Sequence, residues 1–234
     1  MQIEPIAFYH CPIADKFGIP RQPGLAKGLK GEVSLIGEFA RPEALRGLEG
    51  FSHVWLIWGF HLNAHSKSLT VRPPRLGGNE RVGVFASRSP FRPNSLGISA
   101  VKIESIDFEH GTISLSGADL ADGSPIYDIK PYVPYSDSIP EAKQGFTSRE
   151  LNKLEVRFGE GVKEAFEQSA GKEGPELLEQ LVQTLELDPR PQYQDDPDRD
   201  YGMRFSIFDV HFTVKENILT VNRIANAADS PASF

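Results

Sequence analysis

Asp128, Lys130 and Tyr132 stand at alternate positions in the segment ADLADGSPIYDIKPY. Side chains two apart on an extended chain project from one face, so a carboxylate, an ammonium and a phenol line up while Ile129 and Pro131 take the other side. Two chemistries fit this row. One is a surface salt bridge beside a tyrosine; the other is the polar wall of an active site, where neighbouring charges tune one another. Asp122-Gly123 marks a turn ahead of the run, with Pro125 beyond it.

A second group lies in VGVFASRSPFRPNSLGISAVKI, which begins at Val82. Pro90 and Pro93 lack an N–H and fix φ, so neither a helix nor a central strand runs through the middle. Arg88 stands at the end of the first apolar run, and Arg92 and Asn94 follow on the proline-stiffened turn. Guanidinium groups presented at low entropic cost suit a carboxylate or a phosphate. Charge points the same way. The chain has a net charge of −7, yet positions 67–102 hold seven Lys and Arg against the single acid Glu80. Solvated surface charge is the bland account of that island, and an anion-binding face is the sharper one.

A third candidate is Phe60-His61, where the apolar run FSHVWLIWGFHLN meets polar residues. The run reads as a strand buried on both faces. An aromatic beside an imidazole at its end suits stacking on a heterocycle; the alternative is a core histidine satisfied by a backbone carbonyl. His61 and His65 lead into a loop and Cys11 is the one cysteine, so no metal site is expected. The chain has no G-x-G-x-x-G, Walker-type G-x-x-x-x-G-K or G-x-S-x-G pattern, which removes dinucleotide-fold, P-loop and nucleophile-elbow enzymes.

These groups need a scaffold. Strands are expected at 6–13, 32–38, 53–61, 82–86, 98–108, 112–117 and 127–132, separated by Gly, Pro and Asp turns, with a helical turn at 42–48. Seven short strands without long amphipathic helices between them build no parallel sheet; they predict a barrel. A polar connector at 136–150 follows, and the composition turns acidic. Beyond it the pattern predicts a strand at 153–158, helices at 161–169 and 175–187, and strands at 204–214 and 218–224. The expectation is a mainly β protein: a single N-terminal β-barrel domain over 1–135, a connector at 136–150, and a smaller C-terminal α+β domain over 151–234. No leader-like start and no apolar run near 20 residues predict a cytoplasmic protein without a membrane partner.

PRQPG, GFSHVWLIWGFH, TVRPPRLGGN, VGVFASRSPFRPN, DLADGSPIYDIKPY and DPRPQY occur in this order. Together they closely resemble the TrmO family, also called TsaA-like, of S-adenosylmethionine-dependent tRNA methyltransferases. The likeness runs from about residue 6 to about residue 224 and is strongest over the first 135. It implies a β-barrel methyltransferase, a homodimer with its cofactor near the subunit interface, and methylation of N6 of threonylcarbamoyladenosine at position 37, beside the tRNA anticodon. Carried over by motif, S-adenosylmethionine would meet Arg21, Gln22 and Pro23, then Phe60 and His61, then Arg88. Ile98 and the run Ser116, Gly117, Ala118 and Asp119 would complete its contacts.

Within that reading Asp128 accepts or orients the N6 proton, and Lys130 and Tyr132 stabilise charge on the carbamoyl group or purine. Positioning alone, with water taking the proton, is the competing mechanism. Arg72, Arg75, Arg92 and Asn94 are expected on the RNA of an anticodon stem-loop. A non-catalytic RNA-binding barrel and a small-molecule methyltransferase on the same fold are the rival functions.

Overall fold

The expected runs around Ala7–His10 (β1), Lys30–Leu35 (β2), His53–Gly59 (β3), Leu96–Asp107 (β6), Thr112–Ser116 (β7) and Ser124–Pro131 (β8) are strands of one closed barrel. Around it they run in the order β1-β2-β7-β6-β3-β8, and the pairs β1–β2, β1–β8, β3–β6, β3–β8 and β6–β7 are antiparallel. The structure is a computed structural model and describes residues 2–73, 76, 79–148, 152–190 and 196–229.

One expected barrel strand does not join. Only Val82–Gly83 (β5) is extended, and it pairs with Thr70–Val71 (β4) in a separate two-stranded ribbon. The chain then turns through a 3₁₀ turn at Val84–Ala86, because the Ser87 N–H and hydroxyl both donate to the Val84 carbonyl, at 3.3 and 2.9 Å. A second correction concerns β3. It is not buried on both faces: Val54, Leu56 and Trp58 fill the interior, while His53, Trp55 and Ile57 are half-buried on the outer wall. A closed sheet has one interior, so strict alternation returns even in an apolar sequence.

The barrel is filled by Tyr9, Val33, Leu56, Ile113, Leu115 and Ile126. Trp58 shares it, its indole N–H donating to the buried Ser99 hydroxyl at 3.0 Å. Gly97 lies opposite Trp58 on β6, and a Cβ there would run into the indole ring. Gly97→Ala should therefore cost about 1–3 kcal/mol through overpacking. It should lower the urea midpoint with an unchanged slope; a wild-type midpoint would mean that the indole moves aside freely.

The second compact unit comprises Cys11–Gly31, Gly117–Asp122 and Leu151–Phe234, so it draws on the chain well before the connector. Its four-stranded sheet has the order Tyr201–Phe205 (β10), Phe208–Lys215 (β11), Ile218–Asn226 (β12) and Glu155–Phe158 (β9), with β9 parallel to β12. Helices Val162–Ala170 (α3) and Gly174–Leu185 (α4) supply Phe166, Leu178, Leu181 and Leu185 to the core. Ile13, Ala26 and Leu29 are wholly buried in the same core. The single strand expected at 204–214 is two: Phe205 pairs with Phe208, and Ser206, at φ +54°, makes the turn.

Candidate active site

Strand β8 carries Asp128 and Lys130 on the outer wall of the barrel, with side chains 46% and 62% exposed. The Lys130 ammonium lies 3.1 Å from Asp128 Oδ2, and the Ile129 N–H donates to Asp128 Oδ1 at 2.9 Å. Each carboxylate oxygen has two lone-pair directions, so both keep capacity for a further donor. Tyr132 follows, its ring 5.5 Å from Trp55 and 6.2 Å from His53. The one-face row expected from spacing is therefore present, as an exposed ion pair beside an aromatic group.

Register links this row to a residue assigned to the cofactor. Asp128 pairs with Ile57 on β3, and Ile57 pairs with Ile98 on β6. Asp128 and Ile98 thus share an outer row two strands apart, or about 10 Å. Ile98 is 55% exposed, a large apolar side chain beside Ile57 on the outer wall that also carries Asp128 and Lys130. Next to β8, the four-residue helix Pro134–Asp137 (α2; the other short helix, Pro42–Leu45, is α1) is fastened by Asp137 Oδ2. That oxygen accepts the Val133 N–H at 2.8 Å and the Trp55 indole at 2.9 Å. The Val133 N–H, then the Trp55 indole, hold the Asp137 carboxyl below the usual carboxylate range.

Phe60 and His61 follow β3. Phe60 is tilted against Trp58 at 4.4 Å, and its N–H donates to the Ser95 carbonyl at 2.8 Å. His61 is exposed, with Nδ1 3.4 Å from the hydroxyl of the buried Ser124, so it is not a core histidine. His65 is also exposed, with Nδ1 3.2 Å from Ser95 Oγ.

The proline-stiffened loop is braced from within. The Arg92 Nη1 donates to the Ser87 carbonyl at 3.1 Å, and the Phe91 N–H to Ser89 Oγ at 3.2 Å. Arg88 and Asn94 are exposed, while Arg92 is half-buried. Arg72 is exposed just beyond β4; Arg75 lies outside the described residues.

Ser116 ends β7, and its hydroxyl donates to Glu104 Oε1 at 2.5 Å; Lys102 Nζ sits 2.9 Å from the same oxygen. In the second unit, the Gly24 N–H donates to the Gly117 carbonyl at 2.7 Å and the Gly117 N–H to the Leu29 carbonyl at 2.9 Å. Those two bonds bring the segment of Arg21, Gln22 and Pro23 beside that of Gly117, Ala118 and Asp119. Ala118 is fully buried, and Arg21, Gln22, Pro23 and Asp119 are half-buried. Among the described residues no group of three or more His, Cys, Asp and Glu is placed to hold a metal ion.

Residues 8–138 match the family model for the tRNA-methyltransferase O N-terminal domain, and residues 151–227 that for the TrmO C-terminal domain. The chain belongs to the TrmO family. The tRNA (adenine(37)-N6)-methyltransferase of Escherichia coli is 38% identical over 91% of this chain and 96% of its own. A Pseudomonas aeruginosa relative, whose name describes an S-adenosylmethionine-dependent methyltransferase, is 43% identical over 90% of this chain and 91% of its own. A solved structure of TrmO from Pseudomonas aeruginosa, 34% identical, superposes with a TM-score of 0.80 over 97% of this chain and 98% of that one.

Sequence reasoning missed several supports in this TrmO chain. Glu104, on Ser116, occupies a break in the β6–β7 register between Ile103 and Ser105, and a bulge of this kind leaves no periodic trace. Asp137 had a signal, since it stands four residues after Val133 and three after Pro134, where a short turn can fold back. Ser95 and Ser124 had none; they are small polar residues buried under histidines.

Proposed function

We propose that this protein methylates N6 of adenosine 37 in tRNA, with S-adenosylmethionine as methyl donor, and that its substrate base carries the threonylcarbamoyl group. The observation that carries the reading is the near end-to-end match, through both family domains, to an enzyme named for that reaction. Bound S-adenosylmethionine supplies an electrophilic methyl group on a sulfonium, already a good leaving group.

The side-chain chemistry fits such a ligand. Phe60 and Ile98 offer apolar surface for adenine, His61 an imidazole edge, and Arg88 an exposed guanidinium for the amino-acid carboxylate. Ser116 completes the barrel's assigned contacts. Arg21, Gln22, Pro23, Gly117, Ala118 and Asp119 carry the same assignment within the second unit.

Nucleophilicity is the harder part, because the N6 lone pair is delocalised into the purine and the carbamoyl carbonyl. Its proton must leave before, during or after attack. Asp128, on the exposed outer face, keeps lone-pair capacity on its carboxylate to orient or accept it. Lys130 and Tyr132, next on the same face, are suited to charge that develops on the carbamoyl oxygen. Arg72, Arg75, Arg92 and Asn94 are assigned to the anticodon stem-loop.

A homodimer is part of the proposal. Ile98, Tyr135 and Ile139 expose 55%, 92% and 62% of their surface on the barrel unit, apolar area suited to a second copy. No described helix is long and apolar enough to cross a membrane. A tRNA substrate and a single cysteine, Cys11, which can form no internal disulfide, fit the reducing cytoplasm.

The decisive experiment offers purified protein and S-adenosylmethionine to threonylcarbamoylated and unmodified tRNA, followed by nucleoside mass spectrometry. Methylation of the modified tRNA alone is expected. Equal methylation of both removes the carbamoyl requirement, and binding without turnover on either leaves an RNA-binding barrel.

A further inference from the structure

The segment DPRPQY bears no assigned role, yet its described part, Asp188 to Arg190, is held in an unusual way. Asp188 follows α4, its N–H donating to the Leu185 carbonyl at 3.1 Å, and it adopts φ +54°. Glycine or asparagine normally takes such a left-handed position after a helix. A carboxylate there also faces the negative end of the helix dipole. Two locally unfavourable choices coincide in one residue.

Its side chain explains the choice. Arg190 Nε donates to Asp188 Oδ1 at 2.9 Å and Nη2 to Oδ2 at 3.0 Å, a fork-to-fork pair. The Arg190 side chain is only 10% exposed, and its guanidinium carbon lies 5.9 Å from the centre of the Tyr201 ring. The pair is therefore locked by packing, and it fixes the peptide on which it sits. The Asp188 carbonyl, aimed by that left-handed turn, accepts Arg21 Nη2 at 3.3 Å. All four residues belong to the second compact unit.

We infer that Asp188 and Arg190 are positioning residues that hold the Arg21 guanidinium in the geometry needed to bind S-adenosylmethionine. The inference rests on the assignment of Arg21 to the cofactor made above. Arg21 has a long, flexible stem, and anchoring its guanidinium on the Asp188 carbonyl narrows the orientations the group can take, which lowers the entropic cost of meeting a ligand. It also gives the C-terminal part of the chain a role in the reaction that its acidic composition does not suggest.

The test separates positioning from folding. Asp188→Gly removes the carboxylate and suits the left-handed backbone, which offsets part of the cost of unpairing the packed Arg190 guanidinium, so the melting temperature should fall but the protein stay folded at the temperature of the binding measurement. Arg190→Lys keeps a cation and loses the fork. By calorimetry on the full-length protein, both should weaken S-adenosylmethionine binding roughly tenfold, the range set by one misaimed charge-assisted bond. Arg21→Ala should lose at least as much, and Asp188→Gly added to Arg21→Ala should cost nothing further. Wild-type affinity in Asp188→Gly or in Arg190→Lys, with Arg21→Ala weakened, overturns the positioning role. Additive losses overturn it as well, since Asp188 would then act without Arg21. Unchanged affinity in Arg21→Ala removes the Arg21 assignment itself, and this inference with it.

Discussion

Asp128→Asn is expected to bind both tRNA and S-adenosylmethionine normally and to slow single-turnover methyl transfer by about 10²–10⁴-fold. The substitution is nearly isosteric. An asparagine carbonyl oxygen still accepts the Ile129 N–H that now reaches Oδ1 at 2.9 Å, so the backbone of β8 has no reason to shift. What disappears is the charge that pairs with Lys130 at 3.1 Å and the lone pair that takes or orients the N6 proton. The pair is exposed, so losing it costs little stability, and the defect should appear in the chemical step. A fall in kcat with unchanged affinities marks an interaction made only in the transition state. A normal single-turnover rate would falsify the base, leaving positioning with water as the proton acceptor.

That residue was legible because strands have a period of two and nothing interrupts it between Asp128 and Tyr132. The same rule located the barrel strands to within a few residues. It failed where a partner distant in sequence decides the conformation. Val84–Ala86 has strand-like composition but turns, since the pairing with β4 stops at Val82–Gly83 and Ser87 closes the turn. Arg204 to Val214 reads as one strand because Ser206 and Ile207 include neither glycine nor asparagine, yet Ser206 takes a positive φ between Phe205 and Phe208.

The same limit applies to the second compact unit. Ile13, Ala26 and Leu29 lie among barrel-strand sequences, and no local signal says that their core is built mostly by residues beyond the connector. The candidate site was legible mainly through long motifs, which name residues without naming their supports. Arg21 is in such a motif; the carbonyl that holds it belongs to Asp188, 167 positions away.

Arg88→Ala and Arg92→Ala should separate cleanly, although both arginines sit on one loop. Arg88 is exposed, and its assigned bond to the cofactor carboxylate is charge-assisted, worth about 1.5–3 kcal/mol, or roughly 10- to 150-fold in affinity. Calorimetry should record that loss for S-adenosylmethionine with tRNA binding little changed, and an unaltered affinity would strip Arg88 of its role. Arg92 spends one donor on the Ser87 carbonyl at 3.1 Å, which fixes the guanidinium and leaves other N–H groups for a phosphate. Its loss should leave cofactor affinity near wild type and weaken tRNA. The slope of log affinity against log salt should shrink by about 0.7 to 0.9, the counterion released at one phosphate. The brace predicts something else: a loop that loosens without Arg92 lowers the melting temperature and disturbs Arg88, four residues away, so cofactor binding falls while the salt slope stays constant. The slope reports charge on the nucleic acid and the melting temperature reports the loop, and one variant measured both ways assigns Arg92 to RNA or to the frame that presents Arg88.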